Sequence, residues 1–258
     1  MNEADQILTS LEGRVLTITF NRISKKNAFT HAMYGRMADE MEAAADNPEV
    51  RVLVFQGVDG VFTSGNDVNN FLEPVEEMAE RPAVRFLTQL PSFPKPMIAA
   101  VQGPAVGIGT TMLLHCDLVY ADETARFSLP FARLGICPEA GSSLLLPRVA
   151  GFQRATELLI LGEPFDAERA REAGIVNEVV PSDQLHERVA ERAAAVAALP
   201  PAAVRASKAL IRHEVRQQIA QTMEREGEHI ARQLEGPETT EAMTAFFEKR
   251  EPNFDHFE

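Results

Sequence analysis

Two short apolar runs restrict the folds open to this chain. VRVLVFQG at residues 50–57 and MIAAV at residues 97–101 have almost no polar face to turn toward water, so each reads as a mostly buried strand. Strands of that kind need helices to cover them, and helical patterns stand between and after the runs. Residues 14–20 add a half-buried strand, in which Leu16, Ile18 and Phe20 alternate with Val15, Thr17 and Thr19 before Asn21 and Arg22 end it. Thr30 is placed to cap a helix reaching about Asp46; Met33, Met37, Met41 and Ala44 share one stripe, and Asn47-Pro48 closes it. The spacing makes that a core stripe. The apolar run at residues 110–116 suits a buried helix, and residues 118–120, 126–128 and 175–180 are further short strands. Strands alternating with helices predict an α/β core built from repeated turns of sheet and helix.

The pattern changes near Pro181. Three helices are expected after Ser182, over residues 185–199, 202–234 and 238–250, separated by Pro200-Pro201 and Gly236-Pro237. The chain thus divides into a core over residues 1–181 and a helical C-terminal region over residues 182–258. A polar, Glu-rich stretch over residues 69–81 is expected to be a mobile insertion.

Composition narrows the partners. The 258 residues, 45% of them hydrophobic, can fill a substantial interior. With Lys+Arg at 25 and Asp+Glu at 38, the net charge of -13 disfavours nucleic acid and anionic membrane surfaces as partners. The longest apolar stretch, from Met97, is broken by Gln102, Gly103 and Pro104, which makes a poor membrane span. The N-terminus is polar and acidic, unlike a signal peptide. Cys116 and Cys137 are too few for a disulfide framework, and the histidines lack ligand spacing, so no metal site is indicated. The expectation is a soluble, cytoplasmic protein.

Two glycine-bearing turns follow the core strands, Thr63-Ser64-Gly65-Asn66-Asp67 and Gly103-Pro104-Ala105-Val106-Gly107-Ile108-Gly109. Each is expected to open into a helix and to present free backbone N–H groups. Converging at one end of the sheet, these amides could bind an oxygen that becomes negative during reaction; alternatively, the glycines only permit tight turns and close packing. Neither turn is a Walker A or dinucleotide-binding fingerprint. Residues 130–143, PFARLGICPEAGSS, set one carboxylate, Glu139, among apolar and small residues. A pocket of Phe131, Leu134 and Ile136 would push its pKa toward neutrality and make it a base. Its plainer role would be to cap a helix starting near Ala140. Asp67 is expected to order its own turn by hydrogen bonding its amides, His115 to be a satisfied core histidine, and Asp117 to end a helix.

Five segments in order, NR...KKNAF (residues 21–29), FTSGNDV (62–68), KPMIAAVQGPAVGIGTTMLLHCDLVYA (95–121), FSLPFARLGICPEAGSSLLLPR (127–148) and EAGIVNEVVP (172–181), resemble the crotonase superfamily of enoyl-CoA hydratases and isomerases. The resemblance spans nearly the whole chain. It implies an α/β spiral of repeated ββα units, C-terminal helices used for trimerisation in a homotrimer or hexamer, and an acyl-CoA thioester as substrate with no separate cofactor. By motif position, the thioester oxygen would accept hydrogen bonds from the N–H groups of Asn66 and Ile108. Ser64, Gly65, Asp67 and Val68 would line the CoA and thioester channel, Lys25 and Ala28 would lie near its nucleotide end, and Gly107 and Phe131 would also contact substrate. Lys208 resembles a region that can approach the CoA phosphates, with a solvated or trimer-facing role equally open. The two glutamates of the hydratases fall at Thr111 and Phe131, neither of them a carboxylate. Glu139 instead matches the glutamate of the monofunctional Δ3,Δ2-enoyl-CoA isomerases. The expected activity is transfer of a C3 double bond to C2 through a dienolate, with one glutamate as base. An enoyl-CoA hydratase with a non-standard glutamate arrangement and a non-catalytic CoA-binding module are the alternatives.

Overall fold

The computed structural model describes residues 6–67 and 82–257; the predicted insertion at 69–81 and Val68 lie outside them. Strands β1 (Ile7–Glu12) and β2 (Val15–Phe20) form an antiparallel hairpin about Gly13 and Arg14, both with left-handed φ. Helix α1 (His31–Asp46) begins at Thr30, whose hydroxyl accepts from the Met33 N–H, and it buries Met33, Met37, Met41 and Ala44 as the periodicity predicts. Strand β3 (Val52–Gly57), helix α2 (Pro82–Gln89) and strand β4 (Met97–Val101) follow. Just before β4, Lys95 Nζ donates to the carbonyls of Ala44 and Asn47 at 2.6 Å each and so closes the end of α1.

Beyond β4 the chain winds in a repeated step. Short strand β5 (Pro104–Val106) leads to helix α3 (Ile108–Thr111); strands β6 (Leu118–Asp122) and β7 (Arg126–Ser128) lead to helix α4 (Ser142–Ala150). Helix α5 (Phe152–Thr156), strand β8 (Phe165–Asp166), helix α6 (Ala167–Glu172) and strand β9 (Glu178–Val180) complete the coil. Among the described residues, one sheet has the order β1-β2-β3-β4-β6-β9, parallel from β2 onward, and a smaller sheet has the order β5-β7-β8. Each turn of the coil passes from the first sheet to the second and back, which is the α/β spiral the sequence predicts.

Strand alternation explains the two cores. On one face of the large sheet Leu53, Phe55, Met97, Ala99 and Val101 join the main core with α1. On the other, Val52, Val54, Ile98 and Ala100 pack against Leu185, Val189, Ala193 and Ala197 of helix α7 (Leu185–Ala198). This is why β3 and β4 have no polar face. Helices α8 (Pro201–Leu234) and α9 (Pro237–Glu248) end the described chain, close to the predicted bounds. Among the described residues no single helix is long and apolar enough to cross a membrane.

Two elements differ from expectation. The buried run predicted as a helix over residues 110–116 is α-helical only in α3 and tightens to a 3-10 turn over Met112–His115. Few residues separate its left-handed cap, Gly107, from Asp117, whose N–H is tied to the Met97 carbonyl at 2.8 Å. The strand predicted at 175–180 is confined to β9, because Ile175 and Val176 turn into the core. Whether the first glycine turn opens into a helix falls outside the described residues.

Candidate active site

The two glycine turns lie side by side. Thr63 N donates to the Pro104 carbonyl at 2.9 Å and Val106 N to the Thr63 carbonyl at 3.1 Å, while Thr63 Oγ1 accepts from Gly65 N at 3.0 Å. Gly65 has φ +90°, and a Cβ there would stand 2.6 Å from the Val106 carbonyl oxygen, so a side chain is excluded both by conformation and by space. Gly107, φ +55°, donates its N–H to Ser128 and caps α3. The next residues, Asn66 and Ile108, carry N–H groups that meet no backbone acceptor among the described residues. Ile108 N is at the first turn of α3, where intrahelical acceptors are lacking.

Side chains brace the first turn. The buried Tyr34 hydroxyl donates to Asn66 Oδ1; burial, and then the charge of Glu139, hold its pKa well above the usual phenol value, so it remains a donor. Asp67 Oδ2 pairs with Arg22 Nη1 at 2.7 Å, and the same Arg22 nitrogen donates to the Ala28 carbonyl at 2.9 Å. Ser64 is bound through its N–H to the Lys26 carbonyl at 2.9 Å and through Oγ to the Lys25 carbonyl at 3.3 Å. Lys25, Ala28, Ser64, Gly65, Asn66 and Asp67 are thus one cluster, with Gly107 and Ile108 adjoining it. Beneath it, Phe29 and Phe62 pack edge-on against Phe20, at 4.8 and 5.2 Å between ring centres.

Glu139 faces the same space from another wall. A largely apolar cavity of about 470 Å³ is lined by Asn66, by Ala83, Val84 and Leu87 of α2, by Glu139, and by the Met223, Gly227 and Ile230 side of α8. Glu139 Oε1 is buried without a hydrogen-bond partner among the described residues, and so is Thr111 Oγ1. Burial, and next the charge of Glu226, push the Glu139 pKa up to about 7, while the neighbouring Thr111 hydroxyl acts in the opposite sense. The helix-capping role does not hold: α4 begins at Ser142, and Glu139 contributes its carbonyl, accepting from Ser142 N at 3.0 Å and Ser142 Oγ at 2.6 Å.

Other predicted site residues need correction. Phe131, Leu134 and Ile136 are not among the residues lining this cavity; Phe131 and Ile136 belong to the main core. The 3-10 turn Ala132–Leu134 ends in a left-handed Gly135 pressed against the backbone of α9, which directs that segment inward. The expected apolar surroundings of Glu139 come instead from α2 and α8. Lys208 does not reach for phosphates: only 11% exposed, it pairs with Asp117 at 2.7 Å and donates to the Lys95 carbonyl at 2.7 Å. Asp117 also accepts from Met97 N at 2.8 Å. His115 is buried with its pKa lowered to about 4, chiefly by burial; Nε2 meets the Ala140 carbonyl at 2.7 Å, while Nδ1 has no partner.

Sequence reasoning missed Arg22, Tyr34 and Glu226. Glu226 is 6% exposed on α8 and accepts from Gly141 N at 2.7 Å, Ser143 N at 3.1 Å and Ser143 Oγ. A signal existed, since Ile219, Thr222 and Glu226 share the buried side of α8 at helical spacing.

The model of the enoyl-CoA hydratase/isomerase family matches residues 10–256. Rat (Rattus norvegicus) enoyl-CoA delta isomerase 2 is 37% identical over 96% of this chain; the match spans 65% of the rat protein, just under two thirds of its length. The 2,3-dehydroadipyl-CoA hydratase of Escherichia coli K12 is 36% identical over 96% of this chain and 98% of its own. Among solved structures, an enoyl-CoA hydratase/isomerase from Pseudoalteromonas atlantica superposes with a TM-score of 0.93 at 42% identity, covering 96% of this chain and 99% of that one.

Proposed function

The chain belongs to the enoyl-CoA hydratase/isomerase family of acyl-CoA-processing enzymes, and from that premise we propose that it is a Δ3,Δ2-enoyl-CoA isomerase with Glu139 as its base. The observation that carries the proposal is the Glu139 carboxyl, with one oxygen buried and unpartnered among the described residues, on the wall of an apolar cavity that it shares with Asn66.

The chemistry follows from that placement. Glu139 carboxylate takes a proton from C2; the electron pair of the broken C–H bond enters conjugation with the C3 double bond, and negative charge collects on the thioester oxygen. The N–H groups of Asn66 and Ile108 receive that oxygen, each such donor being typically worth roughly 3 to 4 kcal/mol in the transition state. The same carboxyl returns its proton to C4, leaving the double bond between C2 and C3. With its pKa near 7, Glu139 can both take and return a proton near neutral pH. The apolar walls accept the acyl chain.

Hydration asks for more, because a carboxylate pair must handle a water. Thr111 and Phe131 stand where the family's hydratases carry theirs, and Glu226 already accepts three hydrogen bonds. The test supplies purified wild type and Glu139→Gln with trans-3-enoyl-CoA and trans-2-enoyl-CoA in deuterated water, following products by mass and NMR. Wild type is expected to convert the 3-enoyl to the 2-enoyl thioester without adding water, and Glu139→Gln to lose about 10²-fold or more. Efficient 3-hydroxyacyl-CoA formation would overturn this in favour of a hydratase. CoA binding without turnover of either thioester would favour a binding module.

A further inference from the structure

Helix α4 starts without a capping side chain. Its N-cap is Gly141, and the turn that leads into it holds two successive left-handed residues, Ala140 at φ +58° and Gly141 at φ +70°. For alanine that conformation costs about 1 to 2 kcal/mol, so the turn that follows the base keeps its shape only if other groups hold it. They come from far along the chain. Glu226 Oε2 accepts from Gly141 N, and Oε1 accepts from the N–H and hydroxyl of Ser143. Two turns further along α8, Gln233 Oε1 accepts from Cys137 N at 2.8 Å. From below, His115 Nε2 holds the Ala140 carbonyl. Helix α8 therefore grips the segment on both sides of Glu139.

We propose that Glu226 is a positioning residue for the base: from α8 it supplies the cap that Gly141 lacks, fixes the turn presenting Glu139, and keeps a negative charge facing the Glu139 carboxyl. Every group bonded to Glu226 donates to it, an arrangement that only the ionised carboxylate satisfies in full. Burial raises the Glu226 pKa above the ordinary carboxylate value, while the Ser143 and Gly141 donors and Arg225 act in the opposite sense and favour the ion. Among the described residues, the other polar and titratable groups near Glu139 are the Tyr34 phenol from α1, the Thr111 hydroxyl from α3, the Cys137 thiol of its own segment and, along the cavity wall, Asn66, Thr88 of α2 and Glu224 of α8. Burial holds the phenol and the thiol above their ordinary pKa values, and Glu226 is the charge that raises the Glu139 pKa beyond the effect of burial. Glu226 and Glu139, on one cavity wall, then have separate duties: the first is tied down and charged, the second able to exchange its proton.

The inference rests on Glu139 being the reacting base, yet its test does not need turnover. The carboxyl bands of unliganded protein are titrated by infrared difference spectroscopy, with Glu139→Gln identifying the Glu139 band. In Glu226→Gln the Glu139 midpoint is expected to fall by about one pH unit, and the acid limb of kcat/KM on 3-enoyl-CoA to move with it while KM stays within about twofold. An unmoved midpoint in a protein that merely unfolds earlier would reduce Glu226 to a helix cap and overturn the proposal. Should Glu226→Gln not fold, the coupling is read from the other acid: as Glu139 ionises, the Glu226 carboxylate band must shift in wild type and stay in place over the same pH range in Glu139→Gln. A Glu226 band indifferent to Glu139 sinks the idea. A protein that moves no double bond but shows the coupled midpoints loses the isomerase reading and keeps this one.

Discussion

The two walls of the cavity are held in opposite ways. On the amide side, where Asn66 lines the cavity, Gly65-Asn66 and the adjoining Gly107-Ile108 are placed by backbone hydrogen bonds among neighbouring strands, with Phe20, Phe29 and Phe62 packed below. On the acid wall, Glu139 rides on a turn shaped by side chains of a helix that begins 62 residues later, at Pro201. The first wall is local and depends on the absence of side chains; the second is remote and depends on particular ones. A binding oxygen needs a fixed point, which backbone provides cheaply, whereas a base needs a chosen pKa, and burial plus a placed charge achieve that.

The contrast can be broken at its strongest point first. Gly65→Ala forces a Cβ to 2.6 Å from the Val106 carbonyl at a φ of +90°, and should lower isomerisation by about 10²-fold, the effect of removing one oxyanion donor, with a stability loss of about 1 to 3 kcal/mol. Wild-type turnover in that variant would show that the amide wall is not where the oxygen binds.

A smaller effect probes the acid wall through stability. The Glu139 pKa is raised from 4.5 to about 7 in the folded protein, so burying the neutral acid costs nothing at pH 4, below the unfolded value, and the penalty for its charge grows as pH rises toward 7. Glu139→Gln should therefore unfold like wild type at pH 4 and be more stable at pH 8 by up to about 3 kcal/mol. Parallel pH curves of melting temperature for the two proteins would mean that Glu139 is not shifted.

The smallest effect sharpens the contrast. Tyr34→Phe removes the donor to Asn66 Oδ1 but touches no backbone bond of the turn. It should cost about 1 kcal/mol of stability and, if the amide wall is backbone-fixed, change kcat by no more than about threefold. A large kcat loss would put side chains in charge of both walls.

What the sequence made legible follows the same division. Strands β3 and β4, helix α1 and the C-terminal helices were readable because each depends on periodicity within its own segment. The glycine turns were readable for the same reason, since a left-handed residue declares itself locally. Glu139 stood out as an acid among apolar neighbours, but its surroundings were assigned to Phe131, Leu134 and Ile136, adjacent in sequence, when α2 and α8 provide them. The Arg22 pair with Asp67 and the Lys208 pair with Asp117 join residues 45 and 91 positions apart, distances at which a single sequence carries no pairing signal.

The reach of α8 also orders events in time. A ribosome releases the chain from its N-terminus, and domains form as their residues emerge. Strands β1 to β7, both glycine turns and Glu139 all precede Gly141, whereas Glu226 and Gln233 arrive near the end of α8. A nascent chain can thus have assembled the turns that carry Asn66 and Ile108 while Ala140 and Gly141 still lack the bonds that hold their left-handed turn. Docking of α8 is the step that closes the cavity and buries Glu139, so on the proposed assignment catalytic competence comes after the core has formed.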